Sequence, residues 1–131
     1  MAALLNPAPG AYLPHRYPFL LLDRVLDQQP GTSARTLFRP AASLFPLPQM
    51  LLIEMVAQTA GIAAVDRQGE GGFLAAVDQA RFARHPKPGE TLEVSVRVLK
   101  SFGRLYLLEG AVTTGGEIVL QVTLTLGVGP L

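Results

Sequence analysis

At 131 residues, the chain is long enough for one domain with a substantial core and too short for two. Apolar residues make up 49% of it and charged residues only 16%, which excludes an intrinsically disordered chain. The net charge is +1 and the 11 lysines and arginines are scattered, so no nucleic-acid partner is expected.

There are no cysteines, which excludes a disulfide framework, thiolate catalysis and cysteine-based metal sites. No cluster of metal ligands is visible in the sequence. The stretch MAALLNPAPGAYLP has no basic residue before its short apolar run, which argues against a signal peptide. The longest apolar stretch is interrupted by Glu54, Gln58 and Thr59 and is too polar to span a bilayer. We therefore expect a cytoplasmic protein that does not enter a membrane.

The first part of the chain predicts a lead-in and two strands. Residues 1–18 are rich in proline and glycine and predict an irregular segment. Phe19–Leu26 is apolar and then mixed and predicts the first strand, and Thr32–Phe38 predicts the second. Residues 39–48 contain three prolines and therefore predict a loop.

A long helix is predicted from Gln49 to about Asp66. The composition there turns to Leu, Met, Ile and Ala, with few β-branched residues and no proline. The apolar residues cover nearly the whole circumference, which is typical of a helix buried in a core. The polar, glycine-rich segment 67–72 predicts the exit from this helix.

Beyond the helix the hydrophobic period changes to two, as in half-exposed antiparallel strands. Four further strands are predicted: Phe73–Phe82, Thr91–Lys100, Arg104–Thr113 and Glu117–Leu126. Two strands, one buried helix and four strands predict a single α+β domain over residues 1–131. Its antiparallel sheet must curl around one long central helix, which is the hot-dog fold.

One carboxylate interrupts the apolar helix. Glu54 lies on its second turn, and Gln58 follows four residues later on the same face. A buried carboxylate without partners costs several kcal/mol. Glu54 therefore either reaches solvent near the positive end of the helix, or serves as a proton donor or acceptor near neutral pH. The spacing alone leaves both open.

Three segments carry a resemblance to a known family. LPHRYPFLLLDRVLD (Leu13–Asp27) and PxxLLIEMVAQTAG (Pro48–Gly61) resemble the opening and central-helix motifs of the (3R)-hydroxyacyl-acyl-carrier-protein dehydratases of the FabZ and FabA type. FLAAVDQARFARHPKPGETLEVSVRVLK (Phe73–Lys100) is similar to their strand-and-turn segment. The resemblance extends from Tyr12 to Val128.

This resemblance implies a lyase that removes water from 3-hydroxyacyl thioesters in fatty-acid biosynthesis or polyene assembly. The substrate would arrive on the phosphopantetheine of an acyl carrier protein, and no further cofactor is implied. The assembly implied is a homodimer or a higher homo-oligomer. The catalytic acid of the family falls on Glu54. The Gln that follows the acid one turn later in the family's motif falls on Gln58, which would contact substrate.

The chain also departs from the family. The usual catalytic His lies in a Gly-His-Phe-Pro motif 14 residues before the acid, which is Pro40 here. The glycine that follows Pro48 in the family, where a backbone N–H approaches the thioester oxygen, is Gln49. Its side chain would narrow that approach to the substrate.

Only His15 and His85 remain as partners for the acid. His15 lies in a segment able to fold towards the helix, or it is a structural histidine bonded to loop backbone. His85 is expected on the solvated surface. A divergent dehydratase group found with aryl-polyene-type clusters is similar in its PH..PMLLLD stretch and lacks Gly-His-Phe-Pro. By that resemblance, His15 and Glu54 would be the working pair.

Two further sets of residues are candidates for binding. Tyr17, Phe19 and Phe73 would line an acyl tunnel, or they are simply core aromatics. Arg81, Arg84 and Lys87 would form a basic rim for an acidic carrier protein, or they are an ordinary solvated hairpin.

Two other functions stay open. The chain would be a non-catalytic hot-dog subunit that binds acyl thioesters or pairs as a heterodimer with an active paralogue. Alternatively it would be an acyl thioesterase, in which Glu54 activates water.

Overall fold

The structure, a computed structural model, describes residues 5–16, 18–65 and 70–130. Short 3-10 helices occupy Pro9–Ala11 and Ala42–Leu44. The larger elements are the helix α1 (Gln49–Ala64) and the strands β1 (Arg24–Gln29), β2 (Ser33–Phe38), β3 (Glu70–Phe82), β4 (Leu92–Phe102), β5 (Leu105–Thr114) and β6 (Glu117–Pro130).

The strands form one antiparallel sheet in the order β1-β2-β4-β5-β6-β3. The turn between β5 and β6 is Gly115–Gly116, both with positive φ, as a tight hairpin turn requires. Each of the six strands contacts α1, so the sheet wraps around the helix. The predicted hot-dog fold is confirmed.

Helix α1 is buried over most of its length. Its first residues are exposed or half-exposed, and from Leu52 onwards only Glu54 is not buried. Large side chains such as Met55 and Ile62 have no exposed surface, and burying each contributes about 1.5–3 kcal/mol. The predicted helix is therefore correct in type and start, and it places Glu54 at the boundary between core and solvent.

The strand alternation supplies the other half of the core. In β4, Leu92, Val94 and Val96 are buried against the helix side, while Glu93 and Ser95 are half-exposed. This is the period of two that the sequence predicts.

The first strand differs from its prediction. The sequence predicts Phe19–Leu26, but β1 begins at Arg24. Leu21 and Leu22 are buried, yet the N–H of Leu21 bonds to the side chain of Gln58 rather than to a strand. Leu21 and Leu22 are thus apolar because an irregular segment packs on the core, not because they belong to a strand.

The connection from α1 to β3 also differs. Helix α1 ends at Ala64, and Asp66 and residues 67–69 of the predicted exit lie outside the described residues. Residues 70–72 belong to β3, where they pair with Pro130, Gly129 and Val128. Gly71 and Gly72 therefore lie in a strand paired with the end of β6 and not in a loop.

Strand β3 is the edge of the sheet, next to β6 alone. Nearly all of its residues from Phe73 onwards are exposed, including the apolar Phe73, Leu74 and Val77. A long edge with exposed apolar side chains is a template for pairing with another strand. Within the described ranges, no helix is long and apolar enough to cross a membrane.

Candidate active site

Glu54 opens onto a cavity between α1, the lead-in and β3. The cavity has a volume of about 230 Å³. Among its lining residues are Leu13, His15, Glu54, Gln58, Phe73 and Leu74. The side chain of Glu54 is 41% exposed, so its carboxylate is at the mouth of this cavity and is not sealed in the core.

The lead-in brings His15 to Glu54. The imidazole Nε2 lies 3.6 Å from Glu54 Oε1, and a small movement would bring the two atoms within hydrogen-bonding distance. The Nδ1 atom is buried and has no hydrogen-bond partner within the described part of the chain. A buried unpartnered N–H is rarer than an unpartnered lone pair, which favours the tautomer with the proton on Nε2, facing the carboxylate.

Two glycines allow this close assembly. A Cβ atom on Gly61 would lie 3.1 Å from Leu13 Cδ2, and one on Gly72 would lie 2.8 Å from Leu126 Cδ2. The lead-in can therefore pack directly on the C-terminal half of α1, with Leu13 buried and His15 two residues beyond it. Gly61 closes the helix motif noted in the sequence, but its role as a platform for Leu13 could not be seen there.

Gln58 connects α1 to the segment after the lead-in. Its Oε1 accepts from the N–H of Leu21 at 2.9 Å. Its Nε2 donates to the carbonyl of Phe19 at 2.7 Å and to Glu54 Oε1 at 2.9 Å. Gln58 is expected from the sequence to contact substrate, yet both of its N–H groups are engaged by protein acceptors.

Pro40 and Gln49, which stand where the resembled family has its catalytic His and its Gly, supply no histidine or other acid–base side chain. Pro40 is buried in the loop before the second 3-10 helix. Gln49 is the first residue of α1 and is exposed. His85 is exposed, and its carbonyl accepts from Arg84 Nη1 at 3.1 Å.

The candidate tunnel aromatics are more exposed than core residues would be. Phe19 is 75% exposed, and its backbone carbonyl accepts from Gln58. Phe73 is 61% exposed and lines the cavity, and its ring occupies the space that a Cβ on Gly127 would fill. Tyr17 lies outside the described residues. Phe73 therefore borders the cavity while Phe19 is not among its lining residues, and contact of either ring with substrate remains a prediction.

The candidate basic rim is partly neutralised. Arg84 donates to both oxygens of Glu90, at 2.9 and 2.7 Å, and lies 3.5 Å from Glu117. The hydrogen bond from Arg84, followed by that from the Lys87 N–H, lowers the pKa of Glu90 to about 2. The side chains of Arg81 and Lys87 are exposed, so a docking role would fall mainly on these two.

A larger cavity of about 600 Å³ lies on the outer face of the sheet and is polar. Two of its arginines are already ion-paired, Arg35 with Glu93 at 2.8 Å and Arg97 with Glu109. Within residues 5–16, 18–65 and 70–130, no group of three or more potential metal-binding side chains comes together.

In sequence, this chain is similar to dehydratases. A family model described as ApeP-like, ApeP dehydratase, matches residues 7–128. The 3-hydroxyacyl-[acyl-carrier-protein] dehydratase FabZ of Oceanobacillus iheyensis is 34% identical over 129 residues, which cover 88% of this chain and 92% of that protein.

Solved structures share the fold. The dehydratase heterocomplex ApeI:P from Xenorhabdus doucetiae matches with a TM-score of 0.78 at 21% identity, over 95% of this chain and 91% of that chain. A hypothetical thioesterase with coenzyme A from Streptococcus pneumoniae matches with a TM-score of 0.69 at 14% identity, over 81% of this chain and 84% of that one. The architecture is thus shared by hot-dog proteins with different names, while similarity in sequence is to the dehydratases.

Proposed function

Since the chain belongs to the ApeP-like dehydratase family, we propose that it eliminates water from 3-hydroxyacyl thioesters held on acyl carrier protein, in fatty-acid or polyene biosynthesis. The observation that carries this proposal is the approach of His15 Nε2 to within 3.6 Å of Glu54 Oε1 at the mouth of a cavity. Two groups that can exchange protons thus meet where a thioester would enter.

The reaction needs two proton transfers. The Cα–H bond breaks and its proton goes to a base, a double bond forms between Cα and Cβ, and the hydroxyl leaves Cβ with a proton from an acid, giving water. Glu54 and His15 are the two groups, and the pair regains its original protonation through solvent because the site is open. The elimination is redox-neutral, so beyond the carrier-bound substrate it calls for no cofactor.

The start of α1 supplies a site for the thioester oxygen. The first N–H groups of a helix have no intrahelical acceptor and carry partial positive charge. In α1 these belong to Gln49 and Met50, since the N–H of Leu51 already donates to the Pro48 carbonyl at 3.0 Å and Pro48 itself has no N–H. We assign the thioester oxygen to this end, with the exposed Gln49 side chain bordering it.

We also propose that a second hot-dog chain, identical or paralogous, pairs along β3. Phe73 and Leu74 belong both to this exposed edge and to the cavity lining, so a chain paired there would cover the mouth. The similar chain from Xenorhabdus doucetiae belongs to a heterocomplex. We place the assembly in the cytoplasm, with which the lack of cysteine is compatible.

The test is hydration of a crotonyl thioester on carrier protein, by the chain alone and with a paralogue encoded beside it. We expect activity in the wild type and its loss in Glu54→Gln. Absence of activity at every acyl length, alone and in complex, would overturn the proposal. Release of free thiol instead of hydration would identify a thioesterase.

A second candidate is a non-catalytic subunit. It is favoured by one observation, the presence of Pro40 and Gln49 where the family has its usual His and Gly. In that case an active complex would keep its rate when this chain carries Glu54→Gln, since the partner would supply the chemistry.

A further inference from the structure

The orientation of the Gln58 side-chain amide is fixed by the backbone. The two ends of an amide look alike, but the N–H of Leu21 can only donate and the carbonyl of Phe19 can only accept. The atom 2.9 Å from the Leu21 nitrogen is therefore Oε1, and the atom 2.7 Å from the Phe19 oxygen is Nε2. No flipped arrangement satisfies both bonds.

This orientation determines which hydrogen bond Glu54 accepts from Gln58. The second N–H of Nε2 points to Glu54 Oε1 at 2.9 Å, so Oε1 must accept a hydrogen bond. His15 Nε2 faces the same oxygen at 3.6 Å. Over the described ranges 5–16, 18–65 and 70–130, no hydrogen bond reaches Oε2.

The two oxygens of Glu54 are thereby made unequal. An oxygen that already accepts from an amide is the poorer place for a proton, because the lone pair that a proton would need is partly engaged. Oε2, which accepts no hydrogen bond from the described residues, is the better one. Gln58 itself is 1% exposed and cannot turn away to solvent.

We propose that Gln58 is a positioning residue that holds Oε1 of Glu54 and reserves Oε2 as the oxygen that exchanges a proton with the substrate. This inference rests on the proposed function, since it specifies how Glu54 works. Gln58 does not act on the substrate directly, because both of its N–H groups are engaged by Phe19 and Glu54.

The kinetic test replaces the amide. In Gln58→Leu the carboxylate loses its anchor and rotates, and we expect kcat for crotonyl hydration to fall about 10–100-fold, as for a misplaced reacting group. We expect KM to change much less, because the cavity walls remain. In Gln58→Glu the side chain keeps its length but loses the N–H donors, so kcat should fall as in Gln58→Leu.

The matched control is Gln28→Leu. Gln28 also ties its own segment to α1, through a 3.0 Å bond from Nε2 to the carbonyl of Ile62, but it does not line the cavity. We expect this variant to keep the wild-type kcat and pH profile. If Gln58→Leu behaves like Gln28→Leu, with lower thermal stability alone, Gln58 is merely structural and the proposal is overturned.

A second measurement needs no catalysis. In a ¹⁵N-labelled wild type, the Gln58 side-chain amide resonances should shift as Glu54 titrates, and Glu54→Gln should remove that dependence. If the resonances do not respond, Nε2 does not bond to Glu54 and the proposal fails. A response in a protein that never hydrates a thioester would refute the proposed function while leaving this hydrogen bond established.

Discussion

His15 Nε2 lies 3.6 Å from Glu54 Oε1, although one residue belongs to an irregular lead-in and the other to the central helix. The contact depends on Leu13, which is buried against Gly61 and fixes the path of the lead-in. The chain thus brings an imidazole to the acid by a route other than the loop that contains Pro40.

The first prediction concerns this pair. His15→Asn should lower kcat for crotonyl hydration by about 10²–10⁴-fold, the usual contribution of a general acid or base. His85→Asn is the natural control, since His85 is the other histidine and is exposed. Equal rates for His15→Asn and the wild type in steady-state assays would remove His15 from the mechanism.

The second prediction concerns two buried threonines. Thr59 Oγ1 donates to the Met55 carbonyl at 2.9 Å, so Thr36 must donate to Thr59 Oγ1, also at 2.9 Å. Thr59→Val leaves the buried Thr36 hydroxyl unpaired and should lower the free energy of unfolding by about 1–3 kcal/mol. Adding Thr36→Val should recover much of the loss, because both polar groups are then gone. Urea unfolding of the single and double variants measures this, and additive losses would contradict it.

The third prediction uses the contact between β5 and α1. A Cβ on Gly110 would lie 2.5 Å from Val56 Cγ1, so Gly110→Ala overfills the core and should cost about 1–3 kcal/mol. Val56→Ala in the same chain should reduce this cost. Gly129→Ala, where the nearest atom is 4.0 Å away, should change thermal stability little. A Gly110→Ala variant as stable as Gly129→Ala would show that the helix does not pack this closely.

The fourth prediction concerns acid stability. The pKa of Glu90 is lowered from 4.5 to about 2, chiefly by the hydrogen bond from Arg84. A lowered pKa means that the folded state binds fewer protons than the unfolded state. The ion pair therefore stabilises the fold fully above about pH 4.5, and this stabilisation is lost as the pH falls towards 2. Glu90→Gln should therefore lower the melting temperature at pH 7, and the difference from wild type should shrink below pH 4.5. A difference that stays constant down to pH 2 would exclude this linkage.

The fifth prediction concerns the β3 edge. Val77→Lys places a charge on the exposed edge strand, which should oppose pairing with another chain and reduce the mass measured by light scattering. Ile118→Lys is the control, because Ile118 is exposed to a similar degree, 43% against 40%, but lies on β6. Dissociation by Ile118→Lys and not by Val77→Lys would place the interface elsewhere.

The sequence predicts the hot-dog fold because the hydrophobic pattern of the helix differs clearly from the period of two in the strands. The largely apolar helix from Gln49 and the alternating strand Leu92–Phe102 each follow from local pattern. The start of β1 does not, since Leu21 is apolar for packing and its N–H is satisfied by Gln58, 37 residues away. No local pattern contains a bond of that range.

The candidate site is predictable in part for the same reason. Glu54 stands out as a carboxylate in an apolar run, and His15 is one of the two histidines that could take the place of the histidine implied by the family resemblance. The engagement of Gln58 with two backbone groups, and the service of Gly61 as a platform for Leu13, depend on tertiary packing. Spacing along the chain could not show either.

In the segment after the lead-in, Gln58 forms hydrogen bonds only to main-chain atoms, the carbonyl of Phe19 and the N–H of Leu21. The identity of the side chain at position 19 is therefore independent of the bond that orients the acid. Phe19 is 75% exposed, so a different side chain at this position should leave both hydrogen bonds of Gln58, and with them the orientation of Glu54, unchanged.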